Sequence, residues 1–389
     1  MRVRTLWLTD FRNCASARVD LAPGLTALLG ANGEGKTNIL EALAWLATLS
    51  SFRGAPTEAL VRRDAPFAVV RALVERDGRE LLIESQIQPS GRNRVLVNRQ
   101  PLRRARDLLG SLRVTVFTPD DLEIVKGGPG ERRRFLDDAL VAVHPRNDAL
   151  RADVDRVLRQ RNALLKQTGG RLDESAAFSL DVWDAKLAEA GSALAAARVD
   201  LLARLRPVLG QTYDALARRP AATDARYSSV WWHVPPHGSV PGGAGGAAEP
   251  GGPGDPSAAL AAALAGARTD DLRRGVSTVG PHRDEVALSV AGAPARTYAS
   301  QGEQRTLALA MRLAVHEVVT EAAGSPPVLL LDDVFSELDP ERSDALLTRL
   351  PPGQTLLTSA GELPAAAHPE LVLRVAGGRV AAPEVRAGE

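Results

Sequence analysis

Cysteine is nearly absent. Cys14 stands alone in 389 residues, so an intrachain disulfide and a cysteine zinc site are both excluded, and a reducing cytoplasm is the expected setting. Long apolar runs are missing too. No stretch of about 18 apolar residues occurs, and Met1-Arg2-Val3-Arg4 does not lead into a signal-like core, which argues against a membrane-spanning or secreted chain. Neither charge dominates: 48 basic and 47 acidic side chains leave a formal net charge of +1, so bulk charge points to no particular partner. The basic residues are nearly all arginine, with Lys36, Lys126, Lys166 and Lys186 as the only lysines. What remains is ordinary globular material, 44% hydrophobic and 24% charged, long enough for roughly two or three domains.

One of those lysines sits in the stretch on which the reading turns. Gly30-Ala31-Asn32-Gly33-Glu34-Gly35-Lys36-Thr37 matches G-x-x-x-x-G-K-[ST], the phosphate-cradling P-loop. The glycines let the backbone turn sharply and aim its N–H groups inward, and the following helix adds the positive end of its dipole. Lys36 supplies a point charge for the β- and γ-phosphates, and the Thr37 hydroxyl suits Mg2+. The context agrees. Leu25–Leu29 reads as a buried strand, and residues 38–49 place Ile39, Leu40, Leu43 and Leu46 at helical spacing.

Far downstream, Pro327-Val328-Leu329-Leu330-Leu331-Asp332-Asp333 is an apolar strand ending in two acids, the Walker B arrangement. Asp332 is placed to hold Mg2+ directly or through water, and Asp333 to orient or deprotonate the attacking water. Ser300-Gln301-Gly302-Glu303-Gln304-Arg305 starts another helix, where an N-cap serine and outward N–H groups make a second phosphate site. One nucleotide does not need two γ-phosphate sites in one chain. Two chains head to tail do, if each signature helix completes the partner's P-loop. P-loop, signature helix, Walker B and an acid-rich turn, in that order, are the layout of ATP-binding-cassette ATPases.

Between these signals the chain changes character. Residues 3–9 alternate as a first strand, and 67–75, 80–88 and 93–98 read as three more, with Asp77-Gly78 and Ser90-Gly91 as hairpin turns. Residues 113–117 form a further strand. Residues 147–167 and 174–209 are long, charged and helical, and the spacing predicts an antiparallel helical arm. Residues 227–234 read as a strand, 235–256 as a flexible Gly/Pro loop, and 257–274 as a helix. The expected fold class is α/β, an ABC-type P-loop ATPase head with a mixed sheet, flanking helices and an inserted helical arm as a second lobe. Its expected parts are 1–118 and 226–389 for the ATPase lobe and 119–225 for the arm.

The chain resembles the RecF family, related to the Rad50 and structural-maintenance-of-chromosomes (SMC) heads. Besides the motifs above, the resemblance is carried by Leu8-Thr9-Asp10-Phe11-Arg12-Asn13, residues 117–122, and Gly127-Gly128-Pro129 with Arg132-Arg133-Arg134-Phe135-Leu136-Asp137. It continues through Gln160-Arg161-Asn162-Ala163-Leu164-Leu165-Lys166, Gly280-Pro281-His282-Arg283-Asp284 and residues 331–339. It implies a protein of DNA replication and recombinational repair that dimerises on ATP and binds DNA at gaps or single-strand/duplex junctions. It further implies slow DNA-stimulated ATP hydrolysis for release, action with RecR and RecO, help in RecA loading, and a part in the SOS response. By the match, Lys36 and Thr37 bind phosphate and Mg2+, Asp332 binds Mg2+, Asp333 the water, and Ser300 the partner protomer's γ-phosphate, with Asp339 at the dimer seam.

Some positions depart from the cassette pattern. Asp333 stands where glutamate is usual, a γ-phosphate-sensing histidine is replaced by Thr358 or Ser359, and Gln86 and Gln88 are the candidates for the glutamine that follows the P-loop helix. For DNA phosphates the candidates are Arg132, Arg133, Arg134, Arg156, Arg159 and Arg161, though each taken singly reads better as part of a solvated helix face. His282 reads as a turn-shaping residue or as a base. Two rival classes are a structural SMC/Rad50-like chromosome ATPase, disfavoured by the short arm and lack of a cysteine hook, and a transporter nucleotide-binding subunit. The latter is disfavoured by the some 260 residues between Lys36 and Ser300.

Overall fold

A computed structural model describes residues 1–217, 219–233 and 254–381. The chain divides into two compact units. One comprises Met1–Asp121, Ala215–Arg218 and Arg312–Glu389, the other Leu122–Asp214 and Arg219–Met311.

The first unit holds two six-stranded sheets. One is an antiparallel meander in which Arg2–Phe11 lies between Cys14–Asp20 and Ala68–Arg76, followed by Arg79–Ile87, Arg94–Val97 and Gln100–Pro101. Alternation sets its buried face. Ala68, Val70, Ala72 and Val74 are fully buried while the residues between them are not. The Asp77-Gly78 turn takes the positive φ angles, 51° and 73°, of a tight hairpin.

The second sheet runs in the spatial order Arg379–Val380, Leu371–Ala376, Leu25–Leu29, Thr355–Ser359, Val328–Leu331, Val114–Phe117. All its pairings are parallel except the short hairpin with Arg379–Val380. Strands covered on both faces read as continuous apolar runs, and Val328–Leu331 is buried at every position. The helix Lys36–Thr48 shares one apolar core with both sheets, burying Ile39, Leu40, Leu43 and Leu46. Its Trp45 indole N–H donates to the Ser85 hydroxyl across 3.0 Å. The parallel pairing has a direct consequence for function. It brings the loops after Leu29, Leu331 and Ser359 to a single carboxyl edge, where open α/β sheets bind ligands.

The second unit contains the helices Pro129–Val143, Asp148–Gln167, Glu174–Leu216 and Pro256–Arg274, and a three-stranded sheet of Ala293–Pro294, Glu285–Val290 and Thr223–Ser228. The helix expected to end at Leu209 runs on to Leu216. The strand expected over 227–234 is instead Thr223–Ser228. Trp231 and Trp232 leave the ladder to bury their rings, stacked at 5.9 Å between centroids, and Val234 lies outside the described residues, as does most of the 235–256 loop. The unit also reaches further than the expected arm, to Met311. The reason is the full pairing of Thr223–Ser228 with Glu285–Val290, reinforced by the Tyr227 hydroxyl donating to Asp284 at 2.6 Å.

Its centre is ionic. Arg161 is fully buried and donates to Asp184 at 2.6 Å, Asp271 at 2.7 Å and the Ser277 hydroxyl at 2.8 Å. Arg198 grips both oxygens of Asp137 and donates to the Pro281 carbonyl at 2.7 Å. Buried charges persist only when so paired, and removing one partner leaves the other uncompensated. Among the described residues, no helix is long and apolar enough to cross a membrane.

Candidate functional site

The phosphate loop leaves the strand Leu25–Leu29 and enters the helix Lys36–Thr48. Gly30 cannot be replaced without movement, because a Cβ there would stand 2.2 Å from the Val375 carbonyl oxygen. Gly33 and Gly35 adopt φ of 85° and 110°, a region that strains any other residue. Gly35 caps the helix without a side-chain hydrogen bond, so the dipole and the first N–H groups are presented by the loop itself. Ala31, Asn32 and Glu34 complete the loop. Lys36 is 6% exposed, and its ammonium donates to the carbonyls of Gly30 at 2.7 Å and Ala31 at 2.8 Å. That engages two of its three donors and leaves one for a phosphate oxygen.

Two devices outside the motif brace the loop. The Asn13 amide donates to the Glu34 carbonyl at 3.2 Å and accepts from the Asn38 amide at 2.8 Å. From the other side, the Glu34 carbonyl accepts from Gly378 N–H at 2.9 Å, and the Glu34 carboxylate accepts from Gly377 N–H. Arg12, next to Asn13, holds the fully buried Glu41 of the P-loop helix through both carboxylate oxygens.

At the end of the neighbouring strands lie the acids. Asp332 Oδ1 accepts from the Thr37 hydroxyl at 2.8 Å and from the Thr358 hydroxyl at 2.9 Å, while the Asp333 N–H donates to Thr358 Oγ1 at 2.9 Å. Thr358 therefore ties the two acids together, a role its position alone did not reveal. Burial pushes the Asp332 carboxyl above its ordinary pKa and the adjacent Asp333 charge adds to this, against the pull of the two hydroxyls and the Arg53 charge. A dication would relieve both burial and like-charge repulsion. The donor set fits Mg2+: a hydroxyl and a carboxylate, both hard oxygens. No cluster of three or more acidic, imidazole or thiolate ligands occurs among the described residues. Asp333 itself sits at φ 49°, ψ 31°, a left-handed conformation costly for a non-glycine residue and typical of functional sites.

The chain matches the family model of the RecF/RecN/SMC N-terminal domain over residues 2–356. It is 44% identical over 375 residues to the DNA replication and repair protein RecF of Streptomyces avermitilis, an alignment covering 92% of this chain and 93% of the relative. The chain belongs to the RecF family. RecF of Kineococcus radiotolerans is 43% identical, covering 96% of this chain and 97% of its own. Among solved structures, the recombination mediator protein RecF-ATP in the RecFOR pathway superposes with a TM-score of 0.86 at 28% identity, covering 98% and 97% of the two chains. The Smc head domain from Pyrococcus furiosus reaches 0.52 at 17% identity over 97% and 94%, a likeness of fold. The family resemblance and the ATPase-head fold class are thereby established.

The signature stretch Ser300–Arg305 falls in the second unit. Ser300 caps the helix Gln301–Ala323 in a reciprocal box: its hydroxyl accepts from Glu303 N–H at 3.3 Å, and the Glu303 carboxylate accepts from Ser300 N–H and from its hydroxyl, both at 2.7 Å. Ser300 is exposed and Gly302 half-buried. The structure thus gathers Lys36, Thr37, Asp332 and Asp333 in one unit and assigns Ser300 and Gly302 to the other. Asp339 caps the helix Pro340–Thr348, accepting from Arg342 N–H at 3.0 Å.

Several candidates turn out to be architectural. Arg132 is buried, bonded to Glu285 and to the carbonyl of Gly127, and Arg161 is fully enclosed, so neither can reach a DNA phosphate. The Arg133 guanidinium donates to the Asp284 carbonyl at 2.6 Å. Arg134 and Arg156 sit in exposed ion pairs with Glu131 and Asp153, and Arg159 is exposed. His282 is held by the Ser277 carbonyl at 3.1 Å, and burial lowers its pKa to about 4, which makes it a neutral turn residue. Gln86 lies inside the antiparallel sheet, opposite Val69 and Arg94. Residues of the stretches 132–137, 160–166 and 280–284, which carried the resemblance, thus build the polar core of the second unit. Asn13, Arg53, Arg198 and Asp271 had no sequence signal of their own, beyond Asn13's place in the N-terminal motif.

Proposed function

We propose that this protein is an ATP-gated DNA clamp of DNA replication and recombinational repair. The observation that carries the reading is the convergence of Thr37, Asp332 and Thr358 beside Lys36 at one sheet edge. ATP lies with its β- and γ-phosphates on the loop, contacted by Lys36 and backbone N–H groups. Thr37 and Asp332 would hold Mg2+, which would supply positive charge to the phosphate oxygens. Asp333 orients the attacking water at the γ-phosphate. Ser300, with Gly302 beside it, offers its helix N-terminus to the γ-phosphate held by a second copy, so ATP glues two protomers head to tail and hydrolysis frees them. The domain plan of an ATPase lobe interrupted by a helical lobe serves this cycle. The names of the relatives, DNA replication and repair protein RecF and the recombination mediator of the RecFOR pathway, support DNA as the ligand. In this proposal the clamp acts in the cytoplasm at gaps and single-strand/duplex junctions, with RecR and RecO as partners, and helps RecA loading and the SOS response. Turnover is slow and stimulated by DNA, as suits a switch.

The test measures molecular mass and gapped-DNA retention with and without ATP. Lys36→Ala is expected to abolish the ATP dependence of both, and Asp333→Asn to accumulate dimers on DNA. ATP-dependent dimerisation that persists in Lys36→Ala would defeat the proposal.

A further inference from the structure

Tyr298 is one of two strongly exposed aromatic side chains among the described residues of its unit. Tyr298 is 72% exposed and Phe178 71%, whereas Phe135, Tyr213, Tyr227, Trp231 and Trp232 are at most 8% exposed. It ends a short helix, Ala295–Tyr298, two residues before the capping Ser300. The turn that displays it is rigid. Ala295 is fully buried, and Gln304, 4% exposed, donates its amide to the carbonyls of Ala295 at 3.0 Å and Arg296 at 3.2 Å. Ala299 N–H closes onto the Ala295 carbonyl at 3.2 Å, and the Ser300–Glu303 box fixes the other side. Ala299 itself is extended, at φ −74° and ψ 139°, so the Cα atoms of Tyr298 and Ser300 stand about 7 Å apart. An exposed ring on a fixed frame is a surface prepared for a flat partner, since its apolar faces otherwise contact only water.

We infer that Tyr298 is the base-stacking residue that one copy offers to the nucleotide bound by the phosphate loop of a second copy. The inference rests on the head-to-tail pairing proposed above. If Ser300 meets the γ-phosphate, a ring displaced by an extended step is within reach of the sugar and base of the same nucleotide. Stacking is indifferent to which base is present, because every base has a π-face. The residue therefore selects for a base, not for adenine. It acts on assembly, since the nucleotide it touches is already held by the other copy's loop.

The experiment follows dimerisation by light scattering during titration with AMP-PNP, GMP-PNP and base-free ribose 5′-triphosphate, for the wild type, Tyr298→Ala and Tyr298→Phe. Losing one stacked base weakens binding roughly tenfold to a hundredfold. Tyr298→Ala should therefore raise the AMP-PNP and GMP-PNP midpoints at least about tenfold, leave the ribose triphosphate midpoint unchanged, and leave monomer nucleotide affinity unchanged. Tyr298→Phe, which keeps the ring, should behave as wild type. Unchanged midpoints in Tyr298→Ala overturn the inference while the clamp reading survives. Equal losses with and without a base also overturn it, because the ring then contacts protein. A wild type that dimerises with none of the three nucleotides defeats the pairing itself.

Discussion

Thr358→Val is the most informative single change in the nucleotide site. The threonine is 1% exposed, donates to Asp332 Oδ1 at 2.9 Å and accepts from Asp333 N–H at 2.9 Å. Valine keeps the shape and deletes both bonds. Asp332 retains the Thr37 hydroxyl, so its loss is partial, while the Asp333 N–H is left without the acceptor that fixes its left-handed backbone. An unsatisfied buried donor costs about 1–3 kcal/mol, and the weakened Asp332 bond adds about 1 kcal/mol. Urea denaturation should therefore show a loss of about 2–4 kcal/mol. Catalysis should suffer more than binding, since Lys36 and the loop N–H groups are untouched. A displacement of about 1 Å in the group that orients water can cost around a hundredfold in rate. Single-turnover ATP hydrolysis should fall on that order while the nucleotide Kd stays nearly constant. Thr358→Ser, which keeps the hydroxyl, should recover most of the rate. Thr26→Val controls for a buried hydroxyl on the adjacent strand that serves only Ala22 N–H. Wild-type hydrolysis in Thr358→Val would refute the coupling of Thr358 to Asp333.

Three further outcomes follow from the geometry. Gly30→Ala drives a methyl group against the Val375 carbonyl at 2.2 Å, so ATP binding, read by fluorescent-nucleotide titration, should be lost or weakened at least about tenfold (about 1.4 kcal/mol), whereas Gly33→Ala, with open space around it, should pay only for its positive φ. Arg161→Met leaves Asp271 without its buried cation and Asp184 with Arg268 alone, which costs about 3–5 kcal/mol; thermal unfolding should show a large drop, and a stability within 1 kcal/mol of wild type (about the size of an ordinary surface pair) would show the cluster to be dispensable. His282 and His316 are both held neutral by burial, with pKa values lowered to about 4. Their folded values lie below the unfolded value of about 6.5, so the stability they confer is full above that pH and drains as pH falls towards 4, by up to about 3 kcal/mol per imidazole. His316→Gln should flatten the denaturation midpoint against pH across that window, and parallel curves for variant and wild type would contradict the assignment.

What could be read from the sequence was the chemistry that is local in the chain. The P-loop, the run Val328–Leu331 with its two acids and the Ser300 cap each declare themselves within about ten residues, because turn geometry, strand burial and capping are short-range demands. What could not be read depends on pairing across the chain. Arg161 on an amphipathic helix looks like a ligand for phosphate until Asp184 and Asp271 arrive from two other helices. Thr358 looks like an ordinary strand residue until parallel pairing sets its strand beside both Leu25–Leu29 and Val328–Leu331. Trp231 extends a strand by propensity, yet its indole N–H finds Asp284 at 2.9 Å and the tertiary bond prevails. The extent of the second unit was hidden for the same reason, since Thr223–Ser228 joins it only through Glu285–Val290.

The bracing of the phosphate loop bears on how the protein is made. Leu25–Leu29 is flanked on its two sides by Thr355–Ser359 and Leu371–Ala376, and Glu34 is anchored by Gly377 and Gly378. A ribosome delivers the loop more than about 300 residues before these neighbours. During translation the loop emerges without walls, and nascent or prematurely terminated chains cannot shape it. A chain that stops before Thr355 therefore lacks both flanking strands and the Gly377-Gly378 anchor of the loop.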